Sequence, residues 1–65
     1  MTKAESVLLN HMKLHPHSYH DYNGLSWYFV YVWRMGTQQE MLAALRSLEK
    51  QVEIRYYGSN GWSMR

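Results

Sequence analysis

The 65-residue chain contains no cysteine, and this absence removes two ways of stabilising a small fold. Disulfide bonds cannot form, and a metal site built on thiolates is excluded. The lack of cysteine agrees with a reducing compartment. A chain of this length makes one domain, 1–65, which buries only about 60% of its unfolded surface. Its core must therefore pack unusually well, or a partner must help to stabilise it.

Long apolar runs are also missing. The longest one, 27–33, is far shorter than the roughly 18 residues that a membrane helix requires. The first five residues do not show the charged and then apolar segments of a signal peptide. We therefore expect a protein without a membrane span that resides in the cytoplasm.

The sequence carries no pattern typical of catalysis. There is no Ser-His-Asp spacing, no glycine-rich phosphate loop and no suitable pair of carboxylates. Among the four histidines, His11 and His15 lie one helical turn apart, a spacing that can chelate zinc. Neither Cys nor Glu stands beside them, so we favour surface positions, helped at a helix C-terminus by the helix dipole. We predict no enzyme, no metal and no other cofactor.

Two capping-box patterns predict the starts of two helices. Thr2 to Glu5 begins a helix over 2–14, which His15-Pro16 ends because the residue before proline avoids the α region. Thr37 to Glu40 begins a helix over 37–50. The apolar stripe of this second helix consists of Met41, Leu42, Leu45 and Leu48. A polar connection over 15–24 has room for a short strand around 18–20.

Aromatic residues are abundant, with three Trp, six Tyr and one Phe, and they concentrate in the segment 25–35. β-Branched and aromatic residues favour a strand there. Ser26, however, is a fair N-cap, Leu25 and Phe29 recur at helical spacing, and Gly36 suits a tight turn after the segment. We predict a helix over 25–35, with a strand as the alternative.

The C-terminal residues 52–65 predict a β-hairpin. Val52, Ile54 and Tyr56 alternate with more polar residues at strand period. Asn60-Gly61 favours a two-residue turn in which both residues have positive φ. The segment 62–65 then supplies the returning strand.

The order of these elements resembles the winged helix-turn-helix family. Met35 to Thr37 corresponds to the turn, 42–50 to the recognition helix, and 52–55 with 58–62 to the wing. The stretch from Leu42 to Ile54 is similar to the pattern LxxLxxLEKxGxI that closes the family's recognition helix, although Gln51 stands where glycine is usual. The resemblance implies an α+β fold, a small winged helix with three helices followed by a C-terminal β-hairpin wing.

The resemblance also implies double-stranded DNA as the partner. The protein would be a transcriptional regulator or an architectural factor, and its small size suggests a bacterial or phage accessory protein. The helix 37–50 would enter the major groove, while the hairpin 52–65 would contact the backbone. Gln38 and Gln39 carry amides that can pair with adenine. The remaining DNA-binding residues implied are Arg46, Lys50, Arg55, Arg65 and, at the wing tip, Asn60.

Two alternatives stay open at this point. The outer face of helix 37–50 has the composition of any solvated helix surface. The aromatic segment is too rich to be buried completely in so small a monomer, which predicts an interface at Trp27, Tyr28, Tyr31 and Trp33. We expect a homodimer through this element. The alternative function is a protein–protein interaction module, an adaptor or inhibitor that uses exposed aromatics to bind a partner protein.

Overall fold

The computed structural model describes all 65 residues, and its order of elements confirms the predicted α+β fold class. Three helical segments precede a two-stranded antiparallel sheet. The elements are α1 (Lys3–Lys13), α2 (Tyr22–Ser26) continuing as a π-helix (Trp27–Val32), α3 (Gln38–Lys50), β1 (Ile54–Tyr56) and β2 (Trp62–Met64). None of the helices is both long enough and apolar enough to cross a membrane.

Both predicted capping boxes are confirmed. The Thr2 hydroxyl accepts from the Glu5 backbone N–H at 3.2 Å, and the Glu5 carboxylate accepts from the Thr2 N–H at 3.3 Å. The same pair of bonds joins Thr37 and Glu40 at 3.2 Å and 3.0 Å. Each box pairs two backbone N–H groups that a helix start leaves without a partner, which fixes the first residues of α1 and α3.

The aromatic segment is helical, as predicted, but it begins earlier than expected. Asp21 is the N-cap, and its carboxylate accepts from the Gly24 N–H at 2.8 Å. Ser26, which the sequence suggested for this role, has helical backbone angles and makes no capping bond. The helix therefore starts at Tyr22, and the prediction of Ser26 as N-cap was wrong because a stronger cap precedes it by five residues.

From Trp27 to Val32 the helix widens into a π-helix. The Trp33 N–H donates to the carbonyl of Tyr28 at 2.7 Å, a bond that spans five residues instead of four. This spacing stacks the two side chains, whose ring centroids are 5.3 Å apart. The wider turn thus lets Phe29 stay fully buried while aromatic neighbours lie on the surface.

The turn into α3 also differs from expectation. We predicted Gly36 as its flexible residue, yet the positive φ of this turn, 51°, belongs to Arg34. Gly36 instead lies against the capping carboxylate of Glu40, since a Cβ added to Gly36 would be 2.9 Å from a Glu40 oxygen. Its small size gives room to the capping box.

The hairpin pairs Ile54 with Met64 and Tyr56 with Trp62. The predicted two-residue turn at Asn60-Gly61 is wrong, because five residues, 57–61, connect the strands and Gly58–Asn60 form a 3₁₀ turn. Positive φ angles occur at Gly58 and Gly61 but not at Asn60.

The predicted first strand is also shorter than expected. Val52 lies before β1 with a φ of 62° and an exposed side chain. It provides the left-handed turn that follows α3. When the pattern LxxLxxLEKxGxI is laid on 42–54, its glycine falls on Val52, so the position expected for it, Gln51, was one residue too early. Tyr57 likewise follows the end of β1.

A short bridge joins the connection between α1 and α2 to the hairpin. The backbones of His20 and Trp62 exchange two hydrogen bonds, of 2.7 Å and 2.9 Å. The Ser63 hydroxyl adds a third by donating to the carbonyl of Ser18 at 3.0 Å. The sequence had left room for a short strand around 18–20. The structure has a single bridging residue there, His20.

A single core of eleven buried residues holds these elements together, and every helix and strand contributes to it. The core consists of Leu8, Leu9, Met12, Leu25, Phe29, Met41, Ala44, Leu45, Leu48, Ile54 and Trp62. Because α3 supplies four of these residues, its inward face is fixed, and so is the face that it turns to solvent.

Candidate nucleic-acid interface

The outward side of α3 carries a row of four exposed residues, Gln39, Ala43, Arg46 and Lys50, which we call the outer ridge. Their spacing of four, three and four residues places them on one face at 3.6 residues per turn. The ridge contains one amide, two cations and no carboxylate. Ala43 is small and leaves room for a close approach at the centre. The four ridge residues therefore offer a polyanion positive charge and an amide, and the nearest carboxylates, Glu40 and Glu49, lie beside the ridge.

The carboxylates of α3 lie off the ridge and are engaged within the protein. Glu40 completes the capping box with Thr37. Glu49 accepts a hydrogen bond from the indole N–H of Trp62 at 3.1 Å. Both acids thus serve the fold while keeping their negative charges, and the ridge itself carries only positive charge.

Gln38, a predicted DNA contact, is engaged with α2. Its amide nitrogen donates to the Ser26 hydroxyl at 2.9 Å, and its amide oxygen accepts from the Tyr22 hydroxyl at 2.9 Å. Pairing with a base would require both bonds to break. The side chain therefore fixes α3 against α2, whereas the side chain of Gln39, one residue further on, is exposed.

The predicted contacts of the hairpin are exposed as well. Arg55 lies on β1 on the opposite face from the buried Ile54, because successive strand residues alternate. Asn60 belongs to the 3₁₀ turn, and Arg65 follows β2. All three side chains are accessible to a ligand.

Arg46 links the outer ridge to the hairpin. An open groove of about 440 Å³ separates α3 from the loop of the hairpin, and Arg46 and Glu49 line it on the helix side. Tyr56 and Ser59 line it on the hairpin side, and Tyr22 of α2 also lines it. The sequence did not predict this groove, because only the fold brings residues from α2, α3 and the hairpin together.

The predicted aromatic interface separates into two parts. Trp27, Tyr28 and Tyr31 are exposed. Trp33 is partly buried and contacts the imidazole of His11, with ring centroids 5.1 Å apart. Trp33 therefore packs against α1 and is less exposed than the other three residues.

The histidines form a loose group around His11. Burial lowers the pKa of His11, and the positive charges of His20 and His15 lower it further. The ring of His11 lies 5.6 Å from that of His20 and 4.6 Å from that of Tyr28. Nowhere do three or more His, Cys, Asp or Glu side chains converge as metal ligands would.

Comparison of the chain with protein-family models, with curated proteins and with solved structures found no match.

Proposed function

We propose that the protein binds double-stranded DNA through the outer ridge of α3 and the hairpin, in the manner of a winged helix. It would act as a transcriptional regulator or an architectural accessory factor. The observation that carries this proposal is the outer ridge itself, which exposes Gln39, Arg46 and Lys50 together and no acidic side chain.

The dimensions of α3 suit the major groove. Its 13 residues give a length of about 20 Å, and the major groove, about 12 Å wide, admits one helix. Gln39 lies in the first turn, where an amide can pair with N6 and N7 of adenine. Arg46 and Lys50, four residues apart, repel each other in the free protein, and a phosphate between them would remove that repulsion.

The hairpin would contribute backbone contacts beside the helix. Arg55 and Arg65 add two exposed cations, and Asn60 an exposed amide on the loop. Contacts of this kind position a protein on the duplex without reading its sequence. Gln38 would act indirectly, because its two hydrogen bonds to α2 hold α3 at a fixed angle.

Fluorescence anisotropy with a labelled random-sequence duplex, measured at several salt concentrations, tests the proposal. If Arg46, Lys50, Arg55 and Arg65 each contact a phosphate, the logarithm of the binding constant falls with that of salt with a slope of about −3.6. The double variant Arg46→Glu/Lys50→Glu should bind far more weakly and reduce the slope by about 2.

The matched control is Lys3→Glu/Lys13→Glu, which changes the net charge equally at two exposed positions of α1. We expect this control to keep most of the affinity and the full salt dependence, with circular dichroism verifying that both variants fold. Equal weakening by the two double variants would show that only net charge matters, and the ridge would lose its role. Absence of binding at low salt would refute DNA binding altogether.

A further inference from the structure

One side of the π-helix is apolar and uncovered. Trp27, Tyr28, Tyr31 and Val32 are 58%, 39%, 62% and 50% exposed, and we call these four residues the aromatic face. They share one side because π-helical bonds bring residues four and five apart into register. The rings of Trp27 and Tyr31 contact each other with centroids 5.5 Å apart. No charged side chain interrupts the face.

A groove lies directly beside the aromatic face. It has a volume of about 430 Å³ and runs between α1 and the π-helix, with Val7, His11 and Leu14 on one wall and Tyr28 and Trp33 on the other. Leu14 at its rim is 73% exposed. Because Tyr28 belongs to both, the groove and the aromatic face form one continuous surface. It is mostly apolar, and Asn10 and His11 are the polar residues that line the groove.

The size of this surface indicates an interface. At roughly 200 Å² for each side chain, the exposed fractions of the aromatic face and Leu14 amount to roughly 550 Å². That is at the upper end of the largest patch found on a typical monomer, about 300–600 Å². Two such surfaces in full contact bury at most roughly 1,100 Å², which is just above the ~1,000 Å² minimum for a biological interface and below the ~1,200–2,000 Å² of stable complexes, as in a weak dimer.

From this area we infer that the protein forms a two-fold dimer in which the aromatic faces of two copies cover each other. In a two-fold interface the same patch meets itself, so it must carry both a projection and a recess. Trp27 and Tyr31 are the projection, and the shallow, open groove between α1 and the π-helix receives the partner's rings.

The dimer joins two folded copies. The accessible surface of one chain, 4363 Å², equals the roughly 4,400 Å² expected for a folded monomer of its mass, 7.8 kDa, so no element is displaced from its own core. The net charge of +2 per copy opposes association only weakly. The inference is independent of DNA binding, since the aromatic face and the outer ridge share no residue.

Sedimentation equilibrium without DNA, over a wide range of protein concentrations, tests the inference. The mass should rise from 7.8 kDa towards twice that value, and the fluorescence of Trp27 should shift to shorter wavelength over the same range. High salt should leave the dimer intact, whereas it would weaken DNA binding. A mass of 7.8 kDa at every concentration would overturn the inference.

The variant Tyr31→Glu places a charge in the aromatic face and should raise the dimer Kd at least about tenfold. Tyr57→Glu is the control, because Tyr57 is an exposed tyrosine, at 38%, on the loop of the hairpin. It should leave the Kd unchanged. If Tyr57→Glu dissociates the dimer as well as Tyr31→Glu does, the interface lies elsewhere and the inference fails.

Discussion

Replacement of Gly61 by alanine tests how closely the hairpin approaches the connection between α1 and α2. Gly61 has a φ of 91° and a ψ of −135°, a region that glycine enters freely and other residues avoid. A Cβ built on Gly61 would lie 2.2 Å from the carbonyl oxygen of His20 and 2.5 Å from the Cα of Asp21. Both are backbone atoms, so they cannot swing aside as a flexible side chain would.

Two costs contribute to the effect of Gly61→Ala. The backbone conformation alone costs roughly 1–3 kcal/mol for a residue with a side chain. Relief of the clash requires His20 to move away from the hairpin, which breaks its two backbone hydrogen bonds to Trp62, each worth about 1 kcal/mol. We expect a loss of about 3–5 kcal/mol, which is most of the stability of a domain this small.

Gly58→Ala is the matched control. Gly58 also has a positive φ, 66°, but nothing lies within 4 Å of its added Cβ. The Gly58→Ala variant should therefore lose only the backbone term of about 1–2 kcal/mol, which lowers its Tm by about 5–15 °C. Gly61→Ala should lower the Tm by more than about 15 °C. Urea and thermal unfolding followed by circular dichroism measure both. Equal losses for the two variants would refute the reasoning, because the contact with His20 would then contribute nothing.

Three further predictions concern buried hydrogen bonds and pH. Because the pKa of His11 is lowered from 6.5 by burial and by neighbouring histidines, the unfolded chain binds more protons below pH 6.5. The free energy of unfolding should therefore fall as the pH drops below 6.5, and His11→Gln should remove this part of the dependence in urea titrations. Burial raises the pKa of Glu5, but hydrogen bonds from Gln51 and the Thr2 backbone outweigh it and hold the pKa below 4.5. A second loss of stability should thus begin below pH 4.5 in the wild type and be absent in Glu5→Gln. Trp62→Phe removes the bond from the indole to Glu49 and should cost about 1.5–3 kcal/mol, measured by urea unfolding. If Trp62→Phe lowers the free energy of unfolding by less than an ordinary surface substitution does, the hydrogen bond between Trp62 and Glu49 is not formed.

The sequence predicted the helices correctly where the determining contacts are local. Each capping box lies within four consecutive residues, so Thr2 and Thr37 could be identified without knowledge of the fold. The apolar spacing in 37–50 then gave the buried face of α3, and with it the exposed positions Arg46 and Lys50.

The sequence failed where distant segments meet. Asn60-Gly61 has the composition of a two-residue turn, but the conformation of Gly61 is required by the backbone of His20, which is far away in the chain. Likewise, the sequence did not predict the hydrogen bonds of Gln38 to Tyr22 and Ser26, which form only when α2 packs beside α3. No local pattern records either contact.

The π-helix was unpredictable for a different reason. The spacing of Leu25 and Phe29 is compatible with an ordinary α-helix, which we expected over 25–35. In the wider helix Tyr28 contacts Trp33, and Trp33 in turn contacts His11 in α1. Residue preferences within one segment do not include the energy of a contact with a different segment.

The bridge between His20 and Trp62 has a consequence for how the chain folds. It is accompanied by two hydrogen bonds between residues far apart in sequence, Gln51 to Glu5 with a separation of 46 and Ser63 to Ser18 with a separation of 45. Contacts of this kind form only after the intervening chain has closed, which slows folding relative to a simple helical bundle. Single-exponential refolding is expected, in which strand pairing and docking of the first helix occur in the same kinetic step.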